Sequence, residues 1–294
     1  MTLQAGIHKG VPMADYIRDP APEPSLSTSS AETIITRSCR HVWYENPRLN
    51  PAWTMRQNSM MDAGSIAHAL LLDGDERKIV VCPFDDWRKN AAKEMRDAAW
   101  AQGQIPVLES KMETCRTMAA AARVYLADSE LAGIFERGTA EQTLIWQHDI
   151  IWLRSRPDFI TDDHAFIIDY KSTGTSAEPN AFAKQIGFMG YDLQAAIALQ
   201  GLKALANATA KFVFLVQENE PPYLCSLVGI SEANLDVANR KLDFAMTLWA
   251  NCIKTNNWKG YPPNICWAEP LPWQEAQFEE RRNLDAMLDI AAQA

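Results

Sequence analysis

The stretch "RSRPDFITDDHAFIIDYKST", residues 154–173, sets the hardest condition on the fold: it carries Asp158, Asp169 and Lys171 within an apolar, β-branched strand pattern. A carboxylate or ammonium in such a place is costly unless it is paired, hydrogen-bonded or bound to a metal. Side chains at i and i+2 of a strand share a face, so Asp169 and Lys171 point the same way. By the same rule Arg154, Arg156 and Asp158 share a face of the preceding strand. If the two strands pair as a hairpin through "ITDDHA", those faces coincide. Two carboxylates, a lysine and two arginines then meet on one patch.

Two readings compete. One is a set of ion pairs within the strands, Arg156 with Asp158 and Asp169 with Lys171, since D-x-K is common by chance. The other is phosphodiester hydrolysis. Carboxylates are hard ligands for Mg²⁺ or Mn²⁺, and such an ion polarises phosphoryl oxygens and generates hydroxide. A lysine beside it orients or deprotonates the water, and arginines clamp phosphate oxygens. A Pro-Asp, a strand turn and D-x-K inside an apolar strand favour the second reading.

The surroundings suggest one α/β domain. Residues 12–30 are rich in Pro, Ser and acid and read as an irregular arm. A helix is predicted from about Ser30, with Pro47 and Pro51 ending it. A second spans "SMMDAGSIAHALLLDG", capped by Ser59 and stopped by Gly74, with Met60, Ala63, Ala67, Leu70 and Leu71 as its apolar stripe and His68 at the flank. A third, largely helical stretch covers about 86–127. A β-rich run follows over "AEQTLIWQHDIIWLRSRPDFI" and "HAFIIDYKS". Next come helix from about 179 to 206 with breaks at Gly187 and Gly190, strands "KFVFLVQ" and "YLCSLVGI", and a long amphipathic helix from "SEANL". The acidic tail from Trp273 reads as a last helix. The expected organisation is an arm over 1–30, a single domain over 31–268 and an acidic C-terminal helix over 269–294.

Charge and cysteines narrow the class. Lys and Arg number 28 against 37 Asp and Glu, a net of −9. Residues 1–30 carry −1 and 269–294 carry −4. This argues against a broad nucleic-acid-coating surface but leaves room for a local basic track. The six cysteines show no C-x-x-C pair and no zinc spacing. The opening "MTLQAGIHKG" is not apolar, so no signal leader is expected there, and no run of 18 apolar residues occurs. A cytoplasmic protein with reduced thiols, and no membrane partner, is expected.

Taken together, "PD…DYK", "GSIAHALLL" and "GYDLQAAIAL" resemble the PD-(D/E)XK nuclease superfamily. Within it the chain, over about residues 25–260, is similar to the RecE-type exonucleases (exodeoxyribonuclease VIII) of phages and prophages. The opening "SLSTSSAETIITRSCRHVWYENPRLNP" carries part of the likeness. The resemblance implies a restriction-endonuclease-like core: a central mixed sheet flanked by helices, with a helical N-terminal part. It implies that His68, Asp158, Asp169 and the Tyr170 carbonyl hold Mg²⁺ or Mn²⁺, that Lys171 is catalytic, and that Gln194 belongs to a Gln-x-x-x-Tyr helix motif. The tyrosine of that motif would fall at position 198, which is Ala198 here. Tyr191, one turn before Gln194, is the residue placed to replace it. Glu141, Arg154, Arg156 and Tyr191 are candidate DNA contacts. His148 and His164 read as structural or exposed, and Arg37 and Arg40 as surface residues. An iron–sulfur cluster is not expected, because Cys252 and Cys266 lack a close third cysteine.

The implied activity is a metal-dependent exodeoxyribonuclease. It would digest linear double-stranded DNA ends, 5′ to 3′, and leave 3′ single strands for recombination. The implied partners are a single-strand annealing protein and further copies of this chain, in a trimeric or tetrameric ring. The alternatives are an endonuclease or a nuclease of other polarity in the same superfamily, or an inactive DNA-binding module.

Overall fold

The computed structural model describes residues 1–55, 63–72 and 79–293. The expected cap at Ser59, stop at Gly74 and apolar position Met60 lie outside the described residues. Two compact units are present, Met1–Lys259 and Gly260–Ala294.

The N-terminal segment is ordered, which corrects the expected irregular arm. It contains β1 (Gly6–His8), α1 (Met13–Ile17) and β2 (Ser25–Leu26). Asp19, buried and at φ +62, accepts from the Ser25 N–H at 2.7 Å and the Ser25 Oγ at 2.6 Å. Arg48 donates to the carbonyls of Asp19, Ala21 and Pro22. These bonds satisfy backbone groups in a buried, Pro-rich stretch.

The first predicted helix is two: α2 (Thr28–Thr36), capped by Ser27, and α3 (Cys39–Glu45), capped by Ser38. After α4 (Ala63–Leu72) and β3 (Ile79–Cys82), the stretch read as one helix over 86–127 divides into α5 (Asn90–Ala101), β4 (Ile105–Leu108) and α6 (Glu109–Ala127). Gly103, at φ +70, and Pro106 interrupt it, and β4 pairs in parallel with β3.

The β-rich run is divided too. A short 3₁₀ turn (Ile134–Glu136) leads to β5 (Gly138–Ala140), β6 (Thr143–His148), β7 (Ile151–Ser155), β8 (Phe159–Thr161) and β9 (Phe166–Thr173). Then come α7 (Pro179–Phe188), α8 (Tyr191–Ala206), β10 (Lys211–Glu218), β11 (Cys225–Gly229) and α9 (Glu232–Thr255). Besides the two-stranded β3–β4 sheet, one sheet has the order β1-β6-β7-β2 and a second β11-β10-β9-β8-β5. In the second, β9 and β10 are parallel, joined by the α7–α8 crossover, while the remaining neighbours are antiparallel. The sheets are mixed and flanked by helices, as expected. Of the two predicted breaks, the chain uses Gly190 and keeps Gly187 inside α7.

α8 is the centre of the main core. Its small residues Ala195, Ala196 and Ala198 let it pack closely against Trp146, Leu153, Phe214 and the α9 residues Leu242 and Trp249. A second core, of Ala67, Leu71, Phe159, Ile168 and Tyr170, seats α4 on the opposite face of β9. The separate unit holds α10 (Pro272–Gln293), as read from the tail. All six cysteines are free thiols. Among the described residues no helix is long and apolar enough to cross a membrane.

Two glycines give opposite predictions. A Cβ at Gly201, in α8, would lie 2.6 Å from the ring of buried Trp146. Alanine there gains about 1 kcal/mol of helix propensity, but overpacking a closed core costs about 1–3 kcal/mol. Gly187 meets nothing within 4 Å, so only the propensity gain applies. In urea denaturation, Gly201→Ala is expected to lower the midpoint and Gly187→Ala to raise it.

Candidate active site

β8 and β9 pair over only two registers, Phe159 with Ile168 and Ile160 with Ile167. Beyond Ile168 the strands diverge, and the β9 backbone on that side needs another partner. Asp158, immediately before β8, supplies it: its Oδ2 accepts the Tyr170 N–H at 2.8 Å. The divergence therefore draws Asp158 to Asp169 and Lys171 through the main chain.

On one face of β9, Asp169 is fully buried. Its Oδ1 accepts from Gln194 Nε2 of α8 at 2.5 Å, and its Oδ2 pairs with Lys171 Nζ. Lys171 Nζ also lies 4.9 Å from the Tyr191 ring centroid, a cation–π contact. Tyr191 is held by stacking on Phe182, centroids 5.8 Å apart. α8 begins here because Gly190 takes φ +71, where a Cβ would also come 2.9 Å from the Glu32 carboxyl.

On the other face, His68 Nε2 lies 3.1 Å from Asp158 Oδ2. Its ring is 5.9 Å from that of Tyr170. The Tyr170 hydroxyl donates to Gln217 Oε1 at 2.6 Å, and buried Gln217 donates in turn to the carbonyls of Met118 and Tyr223. The sequence reading did not single out Gln217; the trace it leaves is one amide closing the apolar run "KFVFLVQ".

The ionisations follow from this crowding. Burial, then the charge of Asp158, pushes the Asp169 carboxyl up to about 7, with Lys171 working against it. Burial would raise Asp158 as well, but His68, Lys171 and the Tyr170 N–H hold it below the usual range. Burial would lower Lys171, but Asp169 and Asp158 hold it above the ordinary lysine value. His68 is likewise raised: burial opposes, and Asp158 with help from Glu141 and Asp169 prevails.

Among the described residues no group of three or more His, Cys, Asp or Glu side chains is spaced to hold a metal as it stands. Lys171 and Gln194 occupy the two Asp169 oxygens, and His68 and the Tyr170 N–H both engage Asp158 Oδ2. The donor chemistry nevertheless fits a hard divalent ion. One imidazole and two carboxylates are close together, and burial, then the charge of Asp158, forces Asp169 toward its neutral form, a penalty that such an ion relieves.

The arginines separate. Pro157 ends the strand run, and β7 lies in the other sheet, so Arg154 and Arg156 do not share a strand face with Asp158; that expectation is corrected. Arg154 is buried. It donates to the Ser25 carbonyl and hydroxyl at 2.8 and 2.7 Å and pairs with Asp19 at 3.3 Å, clamping the N-terminal segment. It is therefore withdrawn as a DNA contact. Arg156 donates to Glu141 at 2.7 Å and to the Val11 carbonyl, and borders a cavity of about 330 Å³ that Tyr191 and Gln194 also line. Glu141 adjoins the site through that arginine and through its N–H, which donates to the Asp158 carbonyl at 2.8 Å. Ala198 packs in the core, and Tyr191 supplies a ring beside the lysine. His148 sits by Asp149 near the β6–β7 turn, and His164 in the β8–β9 turn. Arg37 pairs with Glu45, and Arg40 packs over Trp43.

A family model described as a PDDEXK-like domain of unknown function (DUF3799) matches residues 43–266. Among solved structures, the chain is similar in fold to a provisionally named exonuclease from Eubacterium rectale. The TM-score is 0.55 at 10% identity, covering 89% of this chain and 96% of that one. A phage-related exonuclease from Haemophilus somnus 129PT gives a TM-score of 0.33 at 11% identity, over 79% and 96% of the two chains. No curated protein matches the sequence.

The raised Asp169 value has a consequence for stability. A carboxyl whose folded pKa exceeds its unfolded one contributes stability that is complete below the unfolded value and is lost as pH rises through the folded one. Thermal melts in EDTA should therefore show a falling contribution from Asp169 between about pH 4 and about pH 7. Mn²⁺ should restore stability most on the alkaline side, where no proton competes. Asp169→Asn is expected to flatten both the pH slope and the metal response.

Proposed function

The chain belongs to the PDDEXK-like family (DUF3799) that its residues 43–266 match, and on that premise we propose that it is a divalent-metal-dependent nuclease, an exodeoxyribonuclease of RecE type. One observation carries the reading: strand divergence gathers His68, Asp158, Asp169 and Lys171, and the partners of the last two, Gln194 and Tyr191, line a cavity that Arg156 also borders. A structural ion pair would need neither the histidine nor the second acid.

His68, Asp158, Asp169 and the Tyr170 carbonyl would hold Mg²⁺ or Mn²⁺. Such an ion polarises the scissile phosphate and lowers the pKa of attacking water. The chain's own groups do the rest. Gln194 orients Asp169, and the Tyr191 ring fixes Lys171. Because two carboxylates keep Lys171 protonated, it acts first as an ammonium, holding water and the phosphate oxygens and offsetting charge as it develops. Arg156 borders the cavity as a cation already paired with Glu141.

End-directed digestion is supported by the RecE resemblance and by the exonuclease name of the E. rectale protein of like fold; the 5′ to 3′ direction on linear duplex rests on the resemblance alone. The net charge of −9 also favours a local contact over a coating surface. The same resemblance motivates a trimeric or tetrameric ring, a single-strand annealing partner and a cytoplasmic setting.

The test is an end-labelled linear duplex with Mg²⁺, alongside covalently closed circular duplex. Linear DNA should be consumed and the circle spared. Lys171→Ala and Asp169→Ala should lose activity by about three orders of magnitude or more while still melting cooperatively. Tyr191→Phe keeps the ring and should stay active, whereas Tyr191→Ala should lose roughly tenfold. Full activity in either Lys171→Ala or Asp169→Ala sinks the assignment, and rapid nicking of the circle would establish an endonuclease instead.

A further inference from the structure

The corner between α7 and α8 reads "GFMGY", and it presents apolar groups to water beside the catalytic residues. Phe188 is 87% exposed and Met189 47% exposed. A scattered exposed apolar residue needs no explanation. These two are consecutive, and they occupy the junction from which the site is built. Met189, Gly190, Tyr191 and Gln194 line the same cavity as Arg156. Gly190 fixes the direction of α8, and Tyr191 backs Lys171.

The corner is also rigid. Phe182 and Ile186 bury the inner face of α7, and Phe182 packs on both Tyr191 and Phe214. The Met189 N–H donates to the Gln185 carbonyl at 2.8 Å. An exposed ring on a fixed support loses little freedom on contact, which suits it to bind a flat partner.

We propose that Phe188, with Met189 beside it, is a stacking platform for the terminal nucleobase of the DNA strand entering the site. This rests on the nuclease reading. Three features favour a base over other occupants. Phe188 directly precedes Met189, which lines the cavity with Tyr191 and Gln194, the residues that touch Lys171 and Asp169, so a strand with its phosphate there has its next base within reach of the corner. Every base offers a π-face, so stacking suits an enzyme that digests any sequence. The thioether beside the ring adapts to purine or pyrimidine.

The test is a coupling between the ring and the base. Affinity for a linear duplex is measured by anisotropy with Ca²⁺ replacing Mg²⁺, so that the strand is retained. The duplex carries either a normal or an abasic terminal nucleotide. Phe188→Ala should weaken binding to the normal end about tenfold. The abasic end should weaken wild-type binding similarly and cost Phe188→Ala nothing further. Phe188→Trp should restore both affinity and base dependence. Additive losses, or no loss in Phe188→Ala, overturn the proposal. So does a drop in sedimentation mass for Phe188→Ala, which would make the corner a contact between copies. Failure of the wild type to digest linear duplex with Mg²⁺ would instead count against the nuclease reading itself.

Discussion

The bond from the Tyr170 N–H to Asp158 Oδ2 is the contact on which the rest of the site depends. It exists because β8 leaves β9 after two registers, and an unpaired buried amide is too costly to persist. Once Asp158 answers that amide, its charge lies close enough to Asp169 to add to the burial that pushes it toward neutrality. His68 is drawn in as its counter-charge, and Lys171 is held as an ammonium. A backbone requirement thus becomes an electrostatic one: the bond fixes where Asp158 sits, and burial together with that neighbouring charge shifts the other three groups.

Two helices turn that cluster into a site with two walls. α4 reaches Asp158 from one face of β9 and α8 reaches Asp169 from the other. Each is seated by its own apolar core, so neither depends on the charged groups for its position. The arrangement concentrates like charges in a buried place, which is unfavourable in the metal-free protein and suits a cation when one is bound. Such local conflict between stability and chemistry is what a functional site is expected to show.

The N-terminal segment extends this logic outward. Asp19, Ser25 and Arg154 form a buried polar knot that ties residues 19–25 to β7. That knot consumes Arg154, while the neighbouring Arg156 is turned to the cavity and paired with Glu141. Two arginines two positions apart in a strand pattern therefore have different tasks, one in structure and one beside the site.

The sequence alone determined the hairpin through "ITDDHA", the shared face of Asp169 and Lys171, the α/β class and the helix that carries Gln194. These rest on local rules: period-two alternation, turn residues and apolar periodicity. It could not show that Pro157 sends β7 and β8 into different sheets, and so it placed Arg154 with the acids. Nor could it show that the segment over 86–127 hides a strand, because β4 forms only by pairing with distant β3. The partners of Asp169, the role of Gln217 and the place of the Tyr191 ring were likewise decided by tertiary structure. Each depends on contacts between residues far apart in the chain, and those are set by which cores pack together rather than by any local pattern.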